Sequence, residues 1–212
     1  MQITDDSGHQ WTISGLLFDM DGTLIDSGHV VDRSWQRWAE SVGVADRLEI
    51  LYGRPSLATV QHCFPDADPQ HLQHLHRQFD DIERADLEGI VPRPGAVELL
   101  AWITERRIPW SIVTSADAAL ATARLGASGI AAPHLVTCDD VAFGKPHPEP
   151  FLLGAQRIAT PPSACLGVED QPAGISSVRA AGCCSVGVWG VAGDITAPDL
   201  AGLLRLLQSA QS

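Results

Sequence analysis

Four short apolar runs, each set off from the next by longer amphipathic stretches, limit most strongly what this chain can fold into. Residues 13–18, 110–114, 164–168 and 184–188 are apolar on both faces and bounded by polar or glycine turns, the pattern of strands buried on both sides. Residues 134–137 form a shorter, weaker candidate. Helical periodicity fills 96–106, 116–126, 148–158 and 175–182, and the tail 199–207 reads as a last amphipathic helix. Pro148 near a helix start and Gly182 just past a helix end follow the usual punctuation. Strand alternating with helix predicts an α/β fold, a parallel sheet core with helices on both faces. A chain of 212 residues accommodates one such domain, or a core with one insertion.

One region breaks the alternation. Between 28 and 93 there is no credible strand, only helical patterns at 30–42, 56–63 and 68–87, closed by a proline-rich hinge at 91–95. The expectation is a core of 1–27 and 94–212, with a small all-helical domain at 28–93 inserted after the first strand. His71, His74 and His76 lie in a stretch that is polar all round, which favours a solvated helix over a metal site. Trp35 and Trp38, three residues apart, are candidates to line the inner face of that domain.

Charge narrows the partners. With 14 Lys+Arg against 26 Asp+Glu the net charge is −12, and no local basic patch offsets it, so neither nucleic acid nor an anionic membrane surface is expected to bind. No apolar run is long enough to span a bilayer, and the polar start with Asp5 and Asp6 is unlike a signal peptide. The five cysteines form no CxxC pair and no zinc spacing, as in a reduced, cytoplasmic protein.

The chemistry concentrates after the first strand, in Asp19-Met20-Asp21-Gly22-Thr23-Leu24. If the strand continued, alternation would turn Asp19 and Asp21 to the same side. Two carboxylates together at a strand end favour a hard divalent cation, Mg2+ above all. A bare D-x-D is more often a helix cap or a solvated turn. The longer string resembles the first motif of the haloacid dehalogenase superfamily in its phosphatase form. That family's later motifs resemble Ile112-Val113-Thr114-Ser115, then Gly144-Lys145-Pro146-His147-Pro148-Glu149-Pro150-Phe151, then Gly167-Val168-Glu169-Asp170-Gln171-Pro172-Ala173-Gly174, in order. A P-loop fails, because Gly144-Lys145 lacks the upstream glycine and the following Ser/Thr, and no G-x-G-x-x-G follows a strand.

The resemblance implies a Rossmann-like core carrying a helical C1-type cap, and a role for each matched residue. Asp19 is the implied nucleophile, forming an aspartyl-phosphate. Asp21 is the implied general acid/base, its backbone carbonyl also facing Mg2+, and the implied metal set is Asp19, Asp21 and Asp170. Glu169 is expected to hold metal-bound water, and Lys145 to offset the charge between Asp19 and phosphate. Thr114 and the backbone N–H of Ser115 are expected to bind the phosphoryl group. Within the superfamily the chain is most similar to the beta-phosphoglucomutase-like subgroup, whose small sugar and polyol phosphatases share Ile82-Glu83, the Glu88-Gly89-Ile90 and Pro94-Gly95-Ala96 hinge, and the Lys145 motif. In the cap, Arg54 and Glu83 are the specificity candidates, with Glu88 weaker. The expected activity is therefore hydrolysis of small phosphorylated sugars or polyols by a monomer. A sugar phosphomutase is the alternative; that branch carries a His twelve residues after the nucleophile, where this chain has Val31, with His29 two residues early. A non-catalytic phosphosugar-binding regulator is the third reading.

Overall fold

A computed structural model of the chain describes residues 1–51 and 55–210. Its strands are β1 (Gln2–Thr4), β2 (Gln10–Thr12), β3 (Gly15–Phe18), β4 (Ile25–Asp26), β5 (Val91–Pro92), β6 (Trp110–Val113), β7 (Leu135–Val136), β8 (Cys165–Glu169), β9 (Cys184–Gly187) and β10 (Ile195–Thr196). Its helices are α1 (Gly28–Ser41), α2 (Ser56–Cys63), α3 (Pro69–Ala85), α4 (Ala96–Glu105), α5 (Ala118–Ser128), α6 (Glu149–Arg157), α7 (Pro172–Ala180) and α8 (Leu200–Ser209). The chain divides into two compact units, one of residues 1–26 with 91–212 and one of residues 27–90.

The larger unit is built on a six-stranded sheet in the order β10-β9-β8-β3-β6-β7, every neighbouring pair parallel. Leu16, Leu17 and Phe18 are fully buried, as a central strand covered on both faces requires. On one face Leu17 packs with Val113, Val136, Phe151, Ala155 and Val178, each of the larger side chains contributing on the order of 1.5–3 kcal/mol by leaving water. From β3 the chain moves outward through β6 to β7, then crosses back to β8 on the other side and continues to β10. The direction of winding therefore reverses between β3 and β8. Open α/β sheets bind ligands outside the carboxyl ends of their strands at such a point. Register aligns those ends, with Phe18 opposite both Ile112 of β6 and Val168 of β8.

Three small features depart from the sequence expectation. The N-terminus is an antiparallel hairpin, β1 with β2, whose turn is tied by Asp5 Oδ1 accepting from the backbone N–H of Ser7 and His9. Strands of three residues are too short to show a period. Residues 91–93, expected in the insertion, belong to the larger unit, because β5 pairs with β4 and Arg93 N–H donates to Leu24 O. α5 begins at 118, since Asp117 caps it by accepting from the Leu120 N–H at 2.8 Å.

The smaller unit holds α1, α2 and α3 around a core of its own. Trp35 stacks on Phe79 with ring centroids 3.6 Å apart, and Trp38 meets both rings edge-on while its indole N–H donates to Leu75 O. Both tryptophans are thus core residues of this unit instead of the lining of an inner face. The stretch expected to be polar all round is amphipathic instead: Leu72, Leu75, Phe79 and Ile82 form an apolar stripe on α3, which Asp68 caps at the His71 N–H. His71 and His74 are exposed and His76 bonds Ser56 Oγ at 2.7 Å. The three histidines belong to no metal-ligand cluster among the described residues.

Candidate active site

Asp19 leaves the end of β3 with its backbone N–H on Val168 O of β8, which sets the carboxylate at the winding reversal. The residue is only 8% exposed. Lys145 reaches it from the loop before α6: Nζ donates to Asp19 Oδ1 at 2.6 Å, to Glu169 Oε1 at 2.6 Å and to Val113 O at 2.9 Å. One ammonium thus ties the ends of β3, β6 and β8. Burial pushes the Asp19 carboxyl well above its usual range; Lys145 pulls against that, and the charges of Glu169 and Asp170 add to it. Burial alone would lower the Lys145 ammonium, but Asp19 and Glu169 outweigh it and hold it protonated, above its ordinary value.

Glu169 closes β8 and is committed on both oxygens. Oε1 accepts from Lys145, while Oε2 accepts from the backbone N–H groups of Asp170 and Gln171. A side chain on Gly174 in α7 would occupy the space of that carboxylate, so the helix passes close because glycine stands there. Asp170 accepts from Thr23 Oγ1 at 2.8 Å and from Gln171 Nε2 at 3.0 Å. Gly22, at φ +84°, turns the chain after Asp21, and a Cβ there would collide with Asp170 Oδ2.

Oxygens of Asp19, Glu169 and Asp170 lie within 4.8 Å of one another. Lys145 pairs with only two of the three carboxylates, Asp19 and Glu169, and an all-oxygen donor set with excess negative charge suits a hard divalent cation. Glu169 is buried and bound to the Lys145 ammonium and two backbone amides, whereas Asp170 is part-buried and bonded by the neutral side chains of Thr23 and Gln171, so Asp19 and Asp170 are the side chains that fit it best.

Asp21 departs from the expected geometry. The strand ends at Phe18, so alternation no longer governs the pair, and among the described residues the carboxylate cluster holds Asp19, Glu169 and Asp170 without Asp21. Its Oδ1 instead accepts from Arg124 Nη1 of α5 at 2.9 Å. Arg124 was not legible as a site residue; the only trace is a charge on the apolar face of a helix, beside Leu120, Ala121 and Leu125. Thr114 follows β6, buried, its Oγ1 accepting from the Ala116 N–H at 3.1 Å and keeping its own proton to donate. Ser115, next along, is exposed.

The remaining sequence candidates lie in the helical unit. Glu83 is buried on α3, not on a solvated face. His29 stands in the first turn of α1, its ring against Gly89, where a Cβ would come within 2.7 Å of Nε2. Arg54 lies outside the described residues.

A model of haloacid dehalogenase-like hydrolases matches residues 13–182. Hexitol phosphatase A of Escherichia coli (strain K12) is 40% identical over 172 residues, 80% of this chain and 80% of that protein. A fructose-1-phosphate phosphatase of the same organism is 30% identical, over 82% of this chain and 96% of the other. Among solved structures, a hydrolase from Pseudomonas syringae superposes with a TM-score of 0.80 at 25% identity, covering 93% of this chain and 98% of that one.

Proposed function

Because this chain belongs to the haloacid dehalogenase-like hydrolases, we propose that it is a magnesium-dependent phosphatase of small phosphorylated sugars or polyols, working through a phosphoryl-aspartate. The observation that carries the reading is Asp19 itself, a buried carboxylate held by Lys145 at the winding reversal of the sheet. A carboxylate in a solvated turn needs no such fixation. The polyol and sugar phosphatases among its relatives supply the substrate class.

In the first step an oxygen of Asp19 attacks phosphorus in line, the bond from phosphorus to the sugar oxygen breaks, and that oxygen takes a proton from Asp21. In the second, water gives a proton back to Asp21 and attacks phosphorus, releasing phosphate and the free Asp19 carboxylate. Lys145 neutralises charge on the non-bridging oxygens, and the Thr114 hydroxyl and Ser115 N–H donate to the same group. Mg2+, when held by Asp19, Asp170 and the Asp21 carbonyl, supplies further positive charge against the phosphoryl oxygens. Glu169 acts through Lys145, which it orients, and through the two amides that shape the Asp170 turn. The helical unit is the cap in this reading and selects the leaving group, with Arg54 and Glu83 as its candidate contacts.

The test is a phosphate-release screen with Mg2+ across hexitol, fructose and glycerol phosphates. We expect turnover of several, lost on chelation and reduced at least about 10³-fold in Asp19→Asn. Absence of release from every phosphomonoester tried, or full activity in Asp19→Asn, overturns the proposal. Conversion of a hexose 1-phosphate to the 6-phosphate without phosphate release assigns the chain to mutases instead.

A further inference from the structure

α5 buries Leu120, Ala121, Arg124 and Leu125 on one face. An apolar side chain at 124 would complete that face at no electrostatic cost, whereas a guanidinium taken out of water carries a steep desolvation penalty unless it is paired. Arg124 is paired across 103 residues of sequence, its Nη1 on Asp21 Oδ1 at 2.9 Å. The two ends of the pair differ in exposure: the Arg124 side chain is 4% exposed and the Asp21 side chain 26%. A pair that served only to staple α5 to the turn after β3 would have no need to leave its carboxylate accessible. Here the cation is sunk in the core and the acid is presented outward. The turn that carries Asp21 is itself fixed, with Gly22 N–H on Ile25 O at 2.9 Å.

We propose that Arg124 is a positioning residue for proton transfer to the leaving group. Its guanidinium holds one oxygen of Asp21 and so fixes the direction from which the carboxyl group exchanges a proton with the sugar oxygen. The proposal rests on Asp21 being the proton donor, as argued above. Misplacing a reacting group by about 1 Å costs on the order of 10²-fold in rate.

Leaving-group chemistry separates positioning from mere stability. An aryl phosphate such as 4-nitrophenyl phosphate expels a weakly basic oxygen that needs little protonation, whereas an alkyl phosphate expels an alkoxide that needs it fully. The quantity to measure is kcat/KM, which reports the step in which the leaving group departs, for 4-nitrophenyl phosphate and for the fastest alkyl phosphate of the screen. Arg124→Met is expected to lower the alkyl value by about tenfold to 10²-fold and the aryl value by less than about threefold. Arg124→Lys, which restores the charge, is expected to recover most of the alkyl loss. Arg124→Gln, which keeps a donor, serves the same comparison if Arg124→Met does not fold. Equal losses on both substrates overturn the proposal and leave Arg124 a structural residue. Asp21→Asn separates the two layers of inference: a selective alkyl loss there, absent from the Arg124 variants, refutes only the positioning role. An unselective loss in Asp21→Asn refutes the proton-donor reading and the positioning role with it.

Discussion

Lys145 spends all three of its N–H donors on Asp19, Glu169 and Val113 O, acceptors that converge from three strand ends. Lys145→Met is expected to cost about 3–5 kcal/mol of unfolding free energy in urea without added metal, because two buried carboxylates lose their counter-charge. Phosphatase activity should fall by about 10²–10³-fold in the same variant. Lys145→Arg should not rescue it, since a planar fork cannot reach three convergent acceptors as a compact ammonium does. Unchanged stability in Lys145→Met would show that the ammonium contributes nothing to the fold. The convergence of Lys145, Asp19, Glu169 and Asp170 was legible from their motifs. The partner of Asp21 was not, because Arg124 lies in no motif and a lone charge on a helix face gives no indication of where its tip ends.

The helical unit shows how far periodicity carries at the scale of an element. That 68–87 is helical was readable, though its apolar stripe was not: 70–78 reads as polar all round, yet Leu72 and Leu75, three residues apart, share the inward face with Phe79 and Ile82. The fastening of α1 beyond the end of α3 was not readable either, since it depends on side chains far apart in sequence. Asp86, just after α3, accepts two hydrogen bonds from Arg33, through Nε and Nη2, both at 2.6 Å, and a third from Arg37 Nη1. Arg33 also donates to Glu88 O at 3.0 Å. The bonds from Arg33 hold the Asp86 carboxyl below the usual carboxylate range, burial opposing them. A depressed folded value gives a stabilising contribution that is complete above the unfolded value of about 3.9 and is lost as pH falls through the folded one. The urea midpoint of this unit, followed by circular dichroism, should therefore drop between about pH 4 and pH 2. Asp86→Asn should cost about 1–3 kcal/mol at pH 7 and flatten that acid dependence. An equally steep acid loss in the variant would place its origin elsewhere.

At the scale of the whole molecule, the order β10-β9-β8-β3-β6-β7 brings residues 19, 145, 169 and 170 to one place. Excess carboxylate there predicts that a divalent cation stabilises the fold. Mg2+ at about 100 times its Kd should add about 2.7 kcal/mol, a rise of about 5–10 °C in Tm by calorimetry. Asp170→Asn should abolish the rise, and a wild-type Tm indifferent to Mg2+ would count against the cation site. By itself the sequence determined the strand–helix alternation, the helical insertion apart from the short strand β5 at its end, and the acids and lysine at the strand ends. Those are carried by neighbours a few residues apart, through side-chain period and local turn chemistry. Tertiary structure alone decided which strands lie side by side, that Glu169 commits both oxygens to Lys145 and the amides beyond it, and that Asp21 stands outside the Asp19 cluster and meets Arg124. Each of these depends on groups brought together from distant parts of the chain, where the energy of a contact is set by position in space and burial, neither of which a local pattern encodes.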